Sequence, residues 1–230
     1  MPGVGLMGGT FNPIHLGHLY VAEEARVRLE LDRVEFIPNQ VPPHRQDLQE
    51  MAPARDRYEM VRMAVSGNPR FTCSSIELDR PEVSHTFDTI SALRQEQPGR
   101  AFTFLAGADS LLGDWYRLDD LLDLLDSFVV LARPGSTHQE LEARLDGLGL
   151  SNRGKVRWLE IPGLQISATD IRARIRAGQA FRYLVSEPVY NYISEKGLYL
   201  PLGSPASEPA LSPAAGIQPA GCNNAHPRRV

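Results

Sequence analysis

The sequence has few cysteines, and they lie far apart. Only two, Cys73 and Cys222, occur in 230 residues, and their positions show no metal-ligand spacing. This usage excludes a disulfide framework and fits a reducing cytoplasm. Cys73 alternates with apolar residues, so we expect it to be a small core residue.

Long apolar runs and an excess of positive charge are also missing. The most apolar stretch, 121–132, contains Asp123 and Asp126, so it is too short and too charged to span a bilayer. No basic region precedes an apolar stretch at the N-terminus, so we expect no secretory signal. The net charge of -4 and the pI of about 5.9 provide no basic field for nucleic acid. We therefore expect a cytoplasmic protein that binds neither membranes nor nucleic acid.

The remaining composition is that of an ordinary globular domain. Hydrophobic residues make up 42% of the chain and charged residues 23%, which is enough for one domain with a sizeable core. We assign residues 1–202 to this domain. Residues 203–230 are rich in Pro, Ala, Ser and Gly and hold few large apolar residues. Such a segment buries too little surface to offset its ordering entropy, which predicts a disordered tail.

The chain is organised around one motif near the N-terminus, Gly8-Gly9-Thr10-Phe11-Asn12-Pro13-Ile14-His15-Leu16-Gly17-His18. An apolar run precedes it and a helical pattern follows from Leu16, so the motif connects a buried strand to a helix. Paired glycines let the backbone approach a ligand, and the amides of a helix N-terminus favour phosphate. His15 and His18 share a face of that helix. They suit charge stabilisation on a transferring phosphate, without nucleophilic attack.

The rest of the chain alternates strand and helix patterns. Further strands are predicted at 34–37, 71–78, 101–106, 128–131 and 156–161. This alternation predicts a Rossmann-like, doubly wound α/β fold, with a mostly parallel sheet and helices on both faces. The order of the strands is not readable from sequence. Gly107 and Asp109 directly follow the most strand-like run, which places them at the expected ligand crevice.

A second candidate anion site begins a helix near the end of the domain. Ser167 or Thr169 is the expected N-cap, and Arg172 follows in the first turn. Hydroxyl, amides and guanidinium together favour an anion, although an ordinary helix cap explains the same residues. If this helix end faced the histidine motif, the two would hold a triphosphate from both sides.

Three other segments admit both a structural and a functional interpretation. Pro42-Pro43-His44-Arg45 is either a rigid surface turn or a support for basic groups that close on a phosphate. Thr86 is either an N-cap or part of a carboxylate site at a helix N-terminus. Trp115 is either a packing residue or a stacking platform for a base.

These motifs resemble a known family. Residues 8–18 are similar to the (H/T)-x-G-H signature of the nucleotidyltransferase superfamily, and the longer form resembles the bacterial nicotinate-nucleotide adenylyltransferases. The resemblance extends over about 4–199, in the family's order. It implies transfer of the adenylyl group of ATP to nicotinate mononucleotide, which gives nicotinate adenine dinucleotide and pyrophosphate in NAD biosynthesis. It also implies Mg²⁺ carried on the ATP phosphates rather than in a protein cage.

The resemblance assigns site residues as well. The ATP-binding set is Gly8, Gly9, Thr10, Phe11, His15, His18, Gly107, Asp109, Arg133, Ser167, Thr169 and Arg172. Of these, His15, His18 and Arg172 are the implied catalytic residues. The nicotinate-nucleotide set is Asn39, His44, Arg45, Thr86 and Trp115. In this set Trp115 would stack on the pyridine ring and Thr86 would meet the carboxylate. His85 stands where the family commonly has Tyr.

Several alternatives remain open at this stage. Another adenylyl- or cytidylyltransferase, such as the phosphopantetheine type, usually carries Thr-x-Gly-His and lacks a Pro-Pro-His-Arg segment. A class I tRNA synthetase would need a longer chain and a Lys-rich second signature. A non-catalytic nucleotide-binding regulator on the same fold would bind without turnover. A dinucleotide-binding dehydrogenase is disfavoured, because no Gly-x-Gly-x-x-Gly follows the first strand. Oligomeric state is not predicted.

Overall fold

The computed structural model describes residues 3–42, 51–80, 83, 85–111, 115–132 and 138–201. The predicted site residues His44, Arg45 and Arg133 lie outside these ranges, as does the predicted tail, 203–230. The domain boundary at residue 202 therefore stays a prediction.

In the part of the chain that the structure describes, six parallel strands form one sheet. They are β1 (Val4–Gly9), β2 (Arg33–Pro38), β3 (Phe71–Cys73), β4 (Phe102–Gly107), β5 (Ser127–Ala132) and β6 (Val156–Glu160). Their spatial order is β3-β2-β1-β4-β5-β6, and each neighbouring pair runs parallel. The predicted doubly wound α/β fold is confirmed.

Within the described residues, eight α-helices connect and cover the strands. They are α1 (Leu16–Arg28), α2 (Ala54–Val65), α3 (Thr86–Glu96), α4 (Ala108–Leu111), α5 (Leu118–Leu124), α6 (His138–Gly147), α7 (Ala168–Arg176) and α8 (Glu187–Lys196). None of the helices in the described ranges is both long enough and apolar enough to cross a membrane.

The sheet is buried on both faces, as the continuous apolar character of its strands requires. Successive residues of a strand point to opposite faces, so Phe128 and Val130 join one core while Val129 joins the other. One face packs against helices α1, α2, α7 and α8. The other face packs against α3 and α5, through buried residues such as Ile90 and Leu121. Helices therefore cover both faces, as predicted.

The third strand is shorter than its pattern predicts. We expected a strand over 71–78, but β3 ends at Cys73. The amide of Ser74 still donates to the carbonyl of Phe36 at 2.9 Å, and a turn follows in which the amide of Leu78 donates to the carbonyl of Ser75 at 2.8 Å. The turn brings Glu77 inward, where its Oε1 accepts a hydrogen bond from the Thr89 hydroxyl at 2.8 Å. This tertiary contact outweighs the local preference for a strand.

The order of the strands locates the ligand crevice. β1 lies between β2 and β4, so the chain winds away from β1 in one direction and, after α3, in the other. Loops that leave the two strands diverge at this point and open a crevice at the carboxyl ends of the strands. The histidine motif follows β1 directly, and α4 follows β4 directly.

Candidate active site

A cleft of about 1160 Å³ opens at the carboxyl ends of β1, β4 and β5. It collects most of the residues predicted for the site, although they come from distant parts of the chain. The predicted residues that line it are Gly8, Gly9, Thr10, Phe11, His15, His18, Asn39, Thr86, Gly107, Trp115 and Ser167. The N-termini of α1 and α7 thus border one cavity.

The two histidines form a compact pair at the start of α1. His15 is the N-cap residue, with φ -143° and ψ 170°, and is 7% exposed. The ring of His18 stacks on that of His15, with 3.7 Å between centroids and 26° between planes. The backbone N–H of His15 donates to Nδ1 of His18 at 3.2 Å. The spacing of three residues therefore places both rings together, as predicted.

This hydrogen bond fixes the chemistry of His18. Because Nδ1 accepts, the ring's proton belongs on Nε2 in the neutral form. Burial, reinforced by the neighbouring His15, lowers the pKa of His18 from 6.5 to about 3. His18 is therefore neutral at pH 7, and it offers the cleft a hydrogen-bond donor rather than a full positive charge.

The lowered pKa of His18 predicts a pH-dependent stability. Below about pH 6.5 the unfolded chain binds a proton at this residue and the native state does not, so acid favours unfolding. The stability is complete above the unfolded pKa and is lost as the pH falls from about 6.5 towards 3. One proton contributes a slope of at most about 1.4 kcal/mol per pH unit.

Urea unfolding at pH 7.5, 5.5 and 4.5 measures this effect, with His18→Asn as the comparison. The free energy of unfolding of the variant should fall less steeply with acid than that of the wild type. Parallel curves for the two proteins would contradict the assignment of a lowered pKa to His18.

Glycines give the histidine pair the room it needs. A Cβ atom on Gly17 would lie 3.0 Å from Nδ1 of His15, which is tighter than most such contacts, so the ring would have to shift by a few tenths of an ångström. A Cβ on Gly9 would lie 3.0 Å from the ring of Phe11, whose edge contacts His18 with 5.2 Å between centroids. The glycines therefore serve the packing of the rings as well as the approach of a ligand, which is the role that the sequence suggested.

One predicted phosphate donor is already used. The backbone N–H of Leu16, the first residue of α1, donates to the carbonyl of Leu184 at 3.0 Å. The amide of Leu16 is therefore already paired, and the predicted phosphate site at this helix N-terminus would use the other amides of the first turn. A segment far along the chain satisfies this amide, and local sequence carries no sign of that contact.

The second predicted anion site begins at Ser167, which is the N-cap of α7. Its hydroxyl accepts from the N–H of Asp170 at 3.1 Å, so the choice between Ser167 and Thr169 as N-cap falls on Ser167. Thr169 is exposed and is not among the residues that line the cleft. Its ATP-binding role stays a prediction.

Arg172 lies behind the cleft rather than along its wall. It is 6% exposed, and its Nη1 donates to the backbone carbonyl of Asn12 at 3.0 Å. Asn12 belongs to the histidine motif, and its side-chain Oδ1 accepts from the N–H of Ala52 and from the hydroxyl of Tyr199. The described contacts of Arg172 thus support the loop that carries His15. Contact with phosphates stays a prediction.

Three of the residues predicted for the pyridine nucleotide, Asn39, Thr86 and Trp115, also line the cleft. Thr86 is the first residue of α3, and His85 rather than Thr86 is the N-cap. The ring of His85 lies against Tyr116, with 4.5 Å between centroids. Trp115 packs edge-on against Phe104 and its Nε1 donates to the carbonyl of Ser110. Trp115 therefore packs against its neighbours and also lines the cleft, and its stacking on a base stays a prediction.

Gly107 ends β4 on the cleft, and Asp109 lies in α4. The side chain of Asp109 falls outside the part of the chain that the structure describes, as do His44, Arg45 and Arg133 entirely. The binding roles of these residues stay predictions.

Sequence reasoning missed two buried polar residues beside the cleft. Arg57 on α2 is 0% exposed and Glu77 is 6% exposed. Their partners, such as Thr10 for Arg57 and Thr89 for Glu77, come from other segments. Arg57 lies in the first turn of α2 among other charged residues, so no local signal separates it from a surface arginine.

Solved structures with the same fold are nucleotide enzymes. The nicotinic acid mononucleotide adenylyltransferase of Plasmodium falciparum, complexed with APC, superposes with a TM-score of 0.67 at 15% identity, over 86% of this chain and 98% of that one. The same enzyme complexed with NaAD gives a TM-score of 0.67 at 16% identity, with the same coverage. At these identities the likeness establishes the fold.

Sequence comparison establishes the family. The cytidylyltransferase-like family model matches residues 6–174. A probable nicotinate-nucleotide adenylyltransferase of Exiguobacterium sibiricum is 44% identical over 85% of this chain and 98% of its own length. The corresponding protein of Symbiobacterium thermophilum is 43% identical over 87% of this chain and 96% of its own length. The chain belongs to the cytidylyltransferase-like family and, within it, to the nicotinate-nucleotide adenylyltransferases.

Proposed function

We propose that this protein joins ATP and nicotinate mononucleotide to give nicotinate adenine dinucleotide and pyrophosphate. One observation carries the proposal. The histidine pair, the N-terminus of α7, Thr86 and Trp115 all line the same cleft. The family and the 43–44% identical relatives support the same reaction. We place the activity in residues 1–202, because the described residues that line the cleft all lie between Met7 and Ala168.

The reaction needs no nucleophile from the protein. The 5′-phosphate of nicotinate mononucleotide attacks the α-phosphorus of ATP in line, so a new O–P bond forms as the bond to the leaving pyrophosphate breaks. Negative charge then accumulates on the equatorial oxygens of the transferring group. Positioned hydrogen-bond donors in a water-poor site stabilise such charge.

His15 and His18 are the proposed donors to the transferring phosphate. Neutral His18 carries its proton on Nε2, since its Nδ1 accepts from the backbone N–H of His15, and a neutral donor does not bind the ground-state anion as strongly as a cation would. Transition-state stabilisation without tight ground-state binding favours turnover. The ring of His18 packs against both His15 and Phe11, so little reorganisation of this ring accompanies the reaction.

The two helix N-termini provide the remaining positive potential. Each helix end is equivalent to a partial positive charge of about +0.5, and α1 and α7 meet at the cleft. We assign the α7 end, with Ser167, Thr169 and Arg172, to the leaving pyrophosphate. Gly107, Asp109 and Arg133 are assigned to the rest of ATP, with Gly8, Gly9, Thr10 and Phe11 beneath it.

Mg²⁺ is the proposed cofactor, and ATP would carry it. Among the described residues, no three His, Cys, Asp or Glu side chains cluster in a way that could hold a metal ion. This donor set fits an ion bound through nucleotide phosphates, as Mg²⁺ commonly is. Bound there, the ion would neutralise negative charge on the pyrophosphate. The predicted cytoplasmic location agrees with a reaction that consumes ATP.

The pyridine pocket favours an acid over an amide in this proposal. Thr86 opens α3, an 11-residue helix, and a helix N-terminus attracts a carboxylate. We propose that the carboxylate of the nicotinate ring lies at Thr86 and that the ring stacks on Trp115. Asn39, together with His44 and Arg45, would hold the rest of the mononucleotide.

A substrate panel tests the function. Purified full-length protein with ATP and Mg²⁺ should release pyrophosphate with nicotinate mononucleotide, and the dinucleotide should form in equal amount. Nicotinamide mononucleotide should react more slowly, and 4′-phosphopantetheine and CTP should not react. Pyrophosphate assay and mass spectrometry of the product measure these outcomes.

Each contrary outcome has a distinct meaning. Equal or faster reaction of the amide nucleotide would remove the Thr86 carboxylate assignment but keep adenylyl transfer. If calorimetry showed binding of both nucleotides but no turnover occurred, the protein would be a non-catalytic nucleotide-binding regulator with the same fold.

A further inference from the structure

Arg57 is a buried cation beside the cleft to which no role has been given. It lies on α2, is 0% exposed, and forms no ion pair among the described residues. Burial lowers the pKa of its guanidinium, because desolvation penalises the charged form. A buried guanidinium is costly unless its hydrogen bonds are satisfied. Its partners are therefore informative.

The guanidinium of Arg57 joins two loops, the one that follows β1 and the two ends of the one between β2 and α2. Its Nε donates to the carbonyl of Ala52 at 3.1 Å, and its Nη2 donates to the carbonyl of Gln40 at 3.0 Å. Its Nη1 donates both to the carbonyl of Thr10 at 2.7 Å and to Oδ1 of Asn39 at 3.1 Å. The same cation thus holds the histidine motif and the loop that follows β2.

The contact with Asn39 orients its side-chain amide. A guanidinium only donates, so the oxygen of Asn39 must face Arg57 and the nitrogen must face away. The nitrogen, Nδ2, donates to the hydroxyl oxygen of Thr10 at 3.3 Å. The Thr10 hydroxyl therefore accepts from Asn39, and its own proton is left to donate elsewhere. Thr10 and Asn39 both line the cleft.

We propose that Arg57 is a positioning residue: it orients Asn39, and Asn39 orients Thr10, so that the Thr10 hydroxyl donates a hydrogen bond to a phosphate oxygen of a bound nucleotide. The inference rests on the proposed function for the nature of the ligand. The guanidinium of Arg57 is buried, and in a buried site one hydrogen bond polarises the next more strongly than it does in water. Phosphate of ATP and phosphate of the mononucleotide share this chemistry.

Asn39→Asp is the sharpest test. An aspartate of the same shape accepts from Arg57 even better than the amide does, so the fold is retained. It cannot donate to Thr10, whose hydroxyl then turns to donate to the new carboxylate. We expect kcat/KM to fall by about tenfold to a hundredfold, with the midpoint of urea unfolding unchanged or raised. Unchanged kcat/KM in this variant would overturn the proposal, since it leaves Arg57 as a purely structural residue.

A double-mutant cycle tests whether Arg57 acts through Thr10. Arg57→Lys keeps the charge but lacks the planar fork, and Thr10→Val removes the hydroxyl. Each should lower kcat/KM by about tenfold or more, whereas Thr10→Ser should restore activity to within about twofold. The double variant should be no worse than the poorer single variant by more than about twofold. If the losses in kcat/KM of the two single variants multiplied in the double variant, Arg57 would not act through Thr10.

Arg62→Lys is the matched control on the same helix. Arg62 pairs with Glu59 at the surface, and its side chain is 53% exposed. The Arg62→Lys substitution should therefore leave kcat and KM unchanged. The KM values for ATP and for nicotinate mononucleotide, measured separately, identify which phosphate accepts the hydrogen bond from the Thr10 hydroxyl.

Absence of turnover in the wild-type protein would contradict the proposed function but not the proposed hydrogen-bond chain. The same variants then test the chain of hydrogen bonds through the calorimetric Kd of each nucleotide, which should rise for one of them.

Discussion

His18→Ala should lower kcat by about 10²–10³-fold, which is the typical effect of removing one donor to a developing oxyanion. The reason is geometric: the ring of His18 lines the cleft, stacked at 3.7 Å on His15. The KM for either nucleotide should change far less, because the interaction belongs to the transition state. Steady-state kinetics with nicotinate mononucleotide and ATP measure both constants.

The effects of the two histidines should not add. Because the rings support each other, the His15→Ala/His18→Ala double variant should be only slightly slower than the poorer single variant. Stability is the control, since His18→Ala should lower the free energy of unfolding by only about 1–3 kcal/mol at pH 7.5. Unaltered kcat in a folded His18→Ala protein would remove its catalytic assignment.

Arg172→Met should lower kcat by about 10²-fold and also reduce stability. Loss of the hydrogen bond from Nη1 of Arg172 to the carbonyl of Asn12 frees the loop that carries His15, and small displacements of catalytic groups cost about this much. The lost bond to a charged donor should lower the free energy of unfolding by about 1.5–3 kcal/mol. Kinetics and urea unfolding are measured on the same preparation.

Arg174→Met on the same helix is the matched control. Arg174 pairs with Asp170 at 2.8 Å at the surface, so its loss should change stability by less than about 0.5 kcal/mol and leave kcat unchanged. The combined measurements also separate two roles for Arg172. A residue that only contacts the leaving pyrophosphate would raise the Kd for ATP without lowering stability, whereas support of the Asn12 loop lowers both stability and kcat.

The sequence anticipated the local structure around the site well. The histidine motif connects β1 and α1, and Ser167 caps α7. These features depend on glycines, short-range caps and a spacing of three residues, which are contained in a few consecutive positions. The error at 71–78 arose where a contact between Glu77 and Thr89 overrode the local pattern.

The supporting residues were not predictable in this way. Arg57 bonds Thr10 across 47 positions, Arg172 bonds Asn12 across 160, and Tyr199 bonds Asn12 across 187. Arg57 and Tyr199 resemble ordinary helix or surface residues in their own segments, and Arg172 was predicted for a phosphate rather than for the carbonyl of Asn12. They acquire these partners only in the folded chain, because a hydrogen bond requires that two groups be close in space and not that they be close in sequence.

By itself, the sequence determined the chemistry: the paired imidazoles, the glycines beside them and the alternation of strands and helices are properties of the residues and their spacing. The tertiary structure decided the strand order, the meeting of α1 and α7 on one cleft, and the charge of His18. Those depend on which segments pack together and which groups lose contact with water. Burial turned an imidazole of ordinary sequence context into a neutral donor, with its pKa lowered to about 3, because desolvation penalises the charged form.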